Sequence, residues 1–173
     1  QACFDLLSLR KEGLFEGTVS INISGVQIEY SNFLSTLERA ITMSGIEPSL
    51  LEMEVTESFI MNDPERWIAL LKQMQALGVS IAIDDFGTGY SNFTYLMKLE
   101  PDFIKIDGSL IKALLDEQSS RNVVVAIVDF AKKMGIKTVA EFVENEVLQT
   151  EVTALGIDFS QGYFFNKPLA HLI

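Results

Sequence analysis

An α/β fold organised around a parallel sheet is predicted by three observations. Short aliphatic runs alternate along the chain with longer stretches of helical periodicity, the rhythm of repeated βα units. Glycines punctuate that rhythm: Gly45, Gly78, Gly135 and Gly156 each follow a helical pattern and stand just before or at the entry to a strand, where a left-handed C-cap is wanted. The 173 residues, 48% of them apolar and only 4 of them proline, suffice for one domain with a sizeable core.

The elements follow in order. Ala2 to Lys11 reads as a helix. Thr18 to Ser24 reads as the first strand, because Val19, Ile21 and Ile23 alternate with Ser20, Asn22 and Ser24. A helix over Ser31 to Met43 leads to a second strand, Leu51 to Thr56, in which Leu51, Met53 and Val55 oppose Glu52, Glu54 and Thr56. Asp63 is placed to cap a helix over Pro64 to Leu77, with proline in its first turn. The third strand is Val79 to Asp84, with Ile81 and Ile83 opposing Asp84, and a helix over Ser91 to Leu99 follows. In the fourth, Phe103 to Asp107, Ile104 and Ile106 oppose Lys105 and Asp107. A helix over Ser119 to Met134 precedes the fifth strand, Lys137 to Glu141, which carries Val139 and closes on Glu141. A helix over Glu146 to Leu155 and a weaker sixth strand, Ile157 to Gln161, complete the pattern.

A closed barrel of eight such units takes about 250 residues, so the expected architecture is a TIM-like (β/α) barrel lacking roughly its first two βα units. The first element is a helix, which places the missing units before Gln1. No linker, low-complexity tract or charge block divides residues 1–173, and a single domain is expected.

Composition narrows the partners. A formal charge of −11 argues against a surface that tracks the phosphates of duplex nucleic acid. Cys3 is the only cysteine, so neither an internal disulfide nor a cysteine-based zinc site is expected, which fits a cytoplasmic location. No apolar run approaches the length of a membrane span, and no direct membrane insertion by this segment is expected.

If the aliphatic strand faces pack on outer helices, Asn22, Glu54, Asp84, Lys105 and Glu141 converge at the C-terminal mouth of the sheet, where barrel enzymes keep their active sites. Any one of them is more simply a polar strand end in an ordinary loop. Five from different strands outweigh that reading. Carboxylates, an amide and a lysine, without histidine or cysteine, are a donor set for magnesium, manganese or calcium rather than structural zinc. Asp84 and Asp85 are adjacent; a strand-end aspartate bridging two cations, with its neighbour on the second, suits displacement at phosphorus. An Asp-Asp pair by itself is more often a turn or a cap.

The run Asp84-Asp85-Phe86-Gly87-Thr88-Gly89-Tyr90-Ser91 resembles the signature loop of EAL-type cyclic-di-GMP phosphodiesterases. Ser20 to Ser24 (SINIS), Glu52 to Ser58 (EMEVTES), Phe103 to Asp107 (FIKID), Val139 to Glu144 (VAEFVE), Ser160 to Tyr163 (SQGY) and Lys167-Pro168-Leu169 are similar to further motifs of that family, in its order and spacing. The resemblance covers essentially the whole chain. It implies Asn22, Glu54 and Asp84 as metal ligands, with Asp84 bridging, and Asp85 as a ligand of the second metal. It implies Lys105 and Glu141 as the residues that hold the attacking water and the second metal, Lys105 orienting or deprotonating that water. Gln161 matches a polar residue of the same centre, Glu57 the anchor of the signature loop, and Glu144 a supporting glutamate; Thr88 and Asp107 are counted with these supporting residues.

The implied activity is hydrolysis of cyclic-di-GMP to linear pGpG with magnesium or manganese in a two-metal site, in bacterial second-messenger signalling. Fusion to GGDEF or sensory domains and a homodimer through the domain are implied as well. Two departures stand against the family pattern. The Glu-Ala-Leu motif that names the family, and the arginine near it, are expected upstream of this chain, and Phe142 occupies a position where the family commonly has glycine.

Two rival readings follow. One is an EAL module that binds cyclic-di-GMP or a protein partner as an effector without turnover. The other, a kinase reading prompted by Asp85-Phe86-Gly87, fails for want of a glycine-rich phosphate loop and a His-Arg-Asp catalytic loop. His171 reads as a surface residue, and Trp67, Phe93 and Phe164 as packing residues.

Overall fold

Alternating aliphatic residues become strands, and amphipathic stretches become helices, in the computed structural model, which describes residues 2–30, 32–87 and 93–167. The sheet has six strands, taken in chain order: β1 Val19–Asn22, β2 Leu51–Thr56, β3 Ser80–Phe86, β4 Phe103–Ile106, β5 Lys137–Ala140 and β6 Phe159–Ser160. An order that never reverses is the winding of a (β/α) barrel; a doubly wound sheet has a switch point where the order turns back. Each of the six strands has its ends within two residues of the run expected for it; β1 stops two residues early, β3 runs two residues further, and β6 is only two residues long.

The described residues divide into two compact units, one holding residues 2–82 and 94–101, the other 83–87, 93 and 102–167. In the first, β1 and β2 run parallel with Val19 opposite Leu51 and Asn22 opposite Glu54. Helix α1 (Ala2–Lys11) buries Cys3 and Leu6. A short helix α2 (Gly25–Glu29) opens on a capping box, in which Gln27 N–H donates to Ser24 Oγ and Ser24 N–H donates to Gln27 Oε1. Helix α3 (Phe33–Ser44) closes on Gly45, whose φ of 69° is the left-handed conformation a C-cap needs. Helix α4 (Glu57–Asn62) springs directly from β2. Helix α5 (Pro64–Ala76) is capped by Asp63, which accepts the Arg66 N–H, and buries Trp67, Ile68, Leu71 and Met74. Residues 94–99 of helix α6 (Phe93–Leu99) bury Tyr95, Leu96 and Leu99 in the same unit.

In the second unit β4 and β5 run parallel, with Lys105 opposite Val139 and Ile106 opposite Ala140, and β6 pairs with β5. Helix α7 (Gly108–Lys112) is capped by Asp107, helix α8 (Gln118–Met134) buries Val124, Ile127, Val128 and Ala131, and helix α9 (Glu146–Ala154) is capped by Asn145. Helices α2, α4 and α7 were not expected from periodicity. Each has five or six residues, less than two turns, so no repeat of apolar positions develops within them.

Asp158 ties β5 to the turn that precedes β6. Its carboxylate accepts from Lys137 Nζ at 2.8 Å, Thr138 N–H at 2.9 Å and Thr138 Oγ1 at 3.0 Å, while its own N–H donates to Thr138 Oγ1. Burial works against the charge, but these hydrogen bonds and the Lys137 charge prevail and hold the carboxyl below its ordinary 3.8. A carboxyl lowered on folding contributes stability above its unfolded value and loses it as pH falls through the folded one. Asp158→Asn is therefore expected to lower Tm at pH 7 by about 2–6 °C, the worth of one or two hydrogen bonds in a chain of this size. The deficit should shrink below pH 3.8 in calorimetric scans.

Among the described residues, no helix is long and apolar enough to cross a membrane.

Candidate active site

Four polar side chains meet in the second unit because strand geometry puts them there. Asp84 and Asp85 lie near the end of β3, Lys105 stands in β4 between the buried Ile104 and Ile106, and Glu141 follows the last residue of β5. The two-residue repeat turns Ile104 and Ile106 to one face and Lys105 to the other. Lys105 Nζ lies 3.0 Å from Asp84 Oδ1 and 2.9 Å from Glu141 Oε1. Lys105 is 5% exposed and Glu141 7%, so the two ion pairs are largely shielded from water.

Carboxylate oxygens of Asp84, Asp85 and Glu141 all lie within 4.8 Å of one another. Three carboxylates face one ammonium, and the surplus of negative charge shows in the acidity of two of them, Asp85 and Glu141. Burial, then the charges of Asp84 and Asp107, push the Asp85 carboxyl above its ordinary value, with Lys105 opposing. Burial also raises Glu141, against the hydrogen bond and charge of Lys105, and Asp84 and Asp85 raise it further. A hard divalent cation relieves this repulsion, and three oxygen donors of this kind fit magnesium or manganese. Asp85 also has a left-handed φ of 53°, a conformation aspartate tolerates better than most residues.

Glu141, Glu144 and Gln161 line one cavity of about 380 Å³, with Lys112, Phe142, Gly162 and Tyr163 completing its wall. Glu144 is half exposed and ion-paired with Lys112 at 3.0 Å. The wall is held by main-chain pairing: Val143 N–H donates to Gln161 O, and Phe164 N–H to Val143 O. Gly162 permits that approach, since a Cβ there would come within 2.2 Å of the Val143 carbonyl oxygen. Asp107 accepts the Ser109 N–H at 2.7 Å as the cap of α7, and its charge acts on Asp85.

In the first unit Asn22 is opposite Glu54 across β1 and β2, and Glu54 is buried at 5% exposure although it carries a carboxylate. Glu57, equally buried, begins α4. Burial, then the Glu57 charge, drive the Tyr95 phenol above its ordinary range. Sequence reasoning did not pair Glu57 with Tyr95, nor find Lys112 or Tyr163 beside Glu141; all three relations join residues of different elements. Thr88 lies outside the described residues, as do His171, Pro168 and Leu169.

Comparison with known proteins gives the family. The family described as EAL domain matches residues 1–168. The chain is 35% identical over 169 residues to the bifunctional diguanylate cyclase/cyclic di-GMP phosphodiesterase MucR of Pseudomonas aeruginosa, covering 98% of this chain and 25% of that protein. It is 33% identical over 162 residues to the cyclic di-GMP phosphodiesterase PdeB of Shewanella oneidensis, covering 94% and 19%. The chain thus spans about a quarter or less of the length of these relatives. Among solved structures, the PaMucR phosphodiesterase in complex with c-di-GMP superposes with a TM-score of 0.91 at 35% identity, covering 97% of this chain and 68% of that one. Klebsiella pneumoniae BlrP1, in a manganese and cyclic-di-GMP complex, superposes with a TM-score of 0.83 at 26% identity, covering 94% and 42%.

Proposed function

The chain belongs to the EAL domain family, and from that premise we propose that residues 1–173 are part of a single EAL domain that hydrolyses cyclic-di-GMP to linear pGpG with bound magnesium or manganese. The observation that carries this reading is the trio of Asp84, Asp85 and Glu141 oxygens within 4.8 Å, with Lys105 paired to two of the carboxylates. An effector module has no need to retain that concentration of buried charge.

In the proposed reaction a water oxygen bonds to phosphorus as the bond from phosphorus to one ribose 3′ oxygen breaks; that oxygen takes up a proton and a 5′-phosphate remains. Asp84, Asp85 and Glu141 would hold the cations, and correspondence with the family adds Asn22 and Glu54 as ligands. When bound, such cations lower the pKa of water and offset charge on the phosphate. Lys105, ion-paired on both sides, is a hydrogen-bond donor, and its proposed part is to orient the attacking water rather than to deprotonate it. Asp85 and Glu141, both raised in pKa, accept protons more readily than ordinary carboxylates. Asp107 sustains the raised Asp85, and Gln161 and Glu144 line the approach to Glu141; supporting roles for Glu57 and Thr88 are carried over from the family resemblance alone. Fusion to GGDEF or sensory domains, homodimerisation through this domain and a cytoplasmic location are the proposed context.

The test is chromatographic: cyclic-di-GMP incubated with the full-length protein should yield pGpG in magnesium or manganese, yield none in chelator, and yield it again when the metal is restored. Apparent metal affinity should weaken as pH falls, because protons compete for Asp85 and Glu141 at higher pH than for ordinary carboxylates. Turnover indifferent to chelator would refute the metal assignment.

A further inference from the structure

Phe142 follows Glu141 directly, at a position where glycine is common in the family, and its backbone keeps the left-handed φ of 55° that glycine adopts without strain. A phenylalanine holds that conformation only at a cost. The ring lies against Gly108, where even a single added carbon would stand 2.3 Å from a ring atom, so the absence of a side chain at Gly108 gives the ring its place. Although seated there, Phe142 remains 53% exposed. Its exposed surface lines the 380 Å³ cavity shared with Glu141 and with Tyr163, which is 62% exposed. Lys112 Nζ stands over the ring at 4.9 Å from its centroid, held there by the half-exposed ion pair to Glu144. An ion pair so exposed holds its partners weakly, so Lys112 yields the ring face at little cost.

A strained backbone that displays an aromatic ring beside a reactive carboxylate, in a cavity within the range of about 300–1,000 Å³ typical of small-molecule sites, calls for a planar ligand group. We infer that Phe142 is a stacking platform for one purine base of the cyclic dinucleotide, with Tyr163 extending the aromatic wall and Lys112 moving from the ring toward the ligand's phosphate. This rests on the reading of the site as a cyclic-di-GMP phosphodiesterase and adds a determinant for base binding that does not depend on the metal ligands.

The experiment is stopped-flow mixing of the full-length protein with a 2-aminopurine analogue of cyclic-di-GMP, read before turnover as fluorescence quenching by stacking. Wild type should quench the probe. Phe142→Leu should weaken half-saturation roughly tenfold or more, the scale of one base–aromatic stack, and Phe142→Tyr should restore it. Because the ring is half exposed, Tm of the leucine variant should stay close to wild type, which separates lost stacking from misfolding. Equal binding by wild type and Phe142→Leu overturns the inference, and so does tighter binding by Phe142→Gly, which would make the ring an obstruction. Should wild type neither bind the probe nor hydrolyse cyclic-di-GMP, the underlying phosphodiesterase reading fails with it.

Discussion

Asp84→Ala is expected to lower kcat for cyclic-di-GMP hydrolysis by about 10³-fold or more, the scale of losing a group that organises transition-state charge. Asp84 stands at the point where the cluster's interactions cross: it pairs with Lys105 at 3.0 Å, contributes an oxygen to the trio that fits a divalent cation, and raises both Asp85 and Glu141. Removing it should also let Asp85 and Glu141 fall toward ordinary acidity. Steady-state kinetics with saturating metal measure the first effect, and a calorimetric metal titration should show loss of cation binding. A variant within tenfold of wild type would mean that Asp84 holds no metal.

Lys105→Met should be nearly as damaging for a different reason. Its ammonium is buried and satisfied by Asp84 and Glu141, so its removal leaves two shielded carboxylates without the ammonium that stands between them. Breaking a buried pair from one side costs about 3–5 kcal/mol, part of which the raised Glu141 recovers by taking up a proton. The sign follows. A carboxyl whose pKa is raised on folding binds its proton more tightly in the native state, so stability falls as pH rises through the gap between the unfolded and folded values. Losing Lys105 widens that gap for Glu141, because its lowering influence is gone. Metal-free Lys105→Met should therefore lose more Tm relative to wild type at pH 8 than at pH 5, and added manganese should recover part of the loss. Its kcat should fall by about 10²–10³-fold, the scale of losing one preorganised donor that orients the reacting groups. Lys105→Arg should not rescue it, since a planar guanidinium does not fill the place of a compact ammonium.

The strands were legible because their chemistry is local. Ile104 and Ile106 flanking Lys105, or Met53 and Val55 flanking Glu54, fix a face by period alone, and that period places Lys105 between Asp84 and Glu141. The helix stop at Gly45 was readable for the same reason, since one residue without a Cβ announces a left-handed turn. Other features depend on partners distant in the chain. Nothing near Phe142 in sequence says that its ring finds room over Gly108, nor does anything near Glu144 point to Lys112. Gly162 reads as a turn glycine until the Val143 carbonyl is seen where its side chain would be. Resemblance makes Glu57 a loop anchor, whereas its influence on Tyr95 emerges only from the fold.

The fate of bound cyclic-di-GMP in a single-turnover experiment tests the central claim most directly: full-length protein in excess over labelled cyclic-di-GMP, with magnesium or with manganese, quenched over a time course and resolved by chromatography. Conversion of the bound nucleotide to pGpG by wild type, and its recovery intact from Asp84→Ala, is the result predicted. Nucleotide bound by wild type and recovered as cyclic-di-GMP in either metal would contradict the account and make this an effector module.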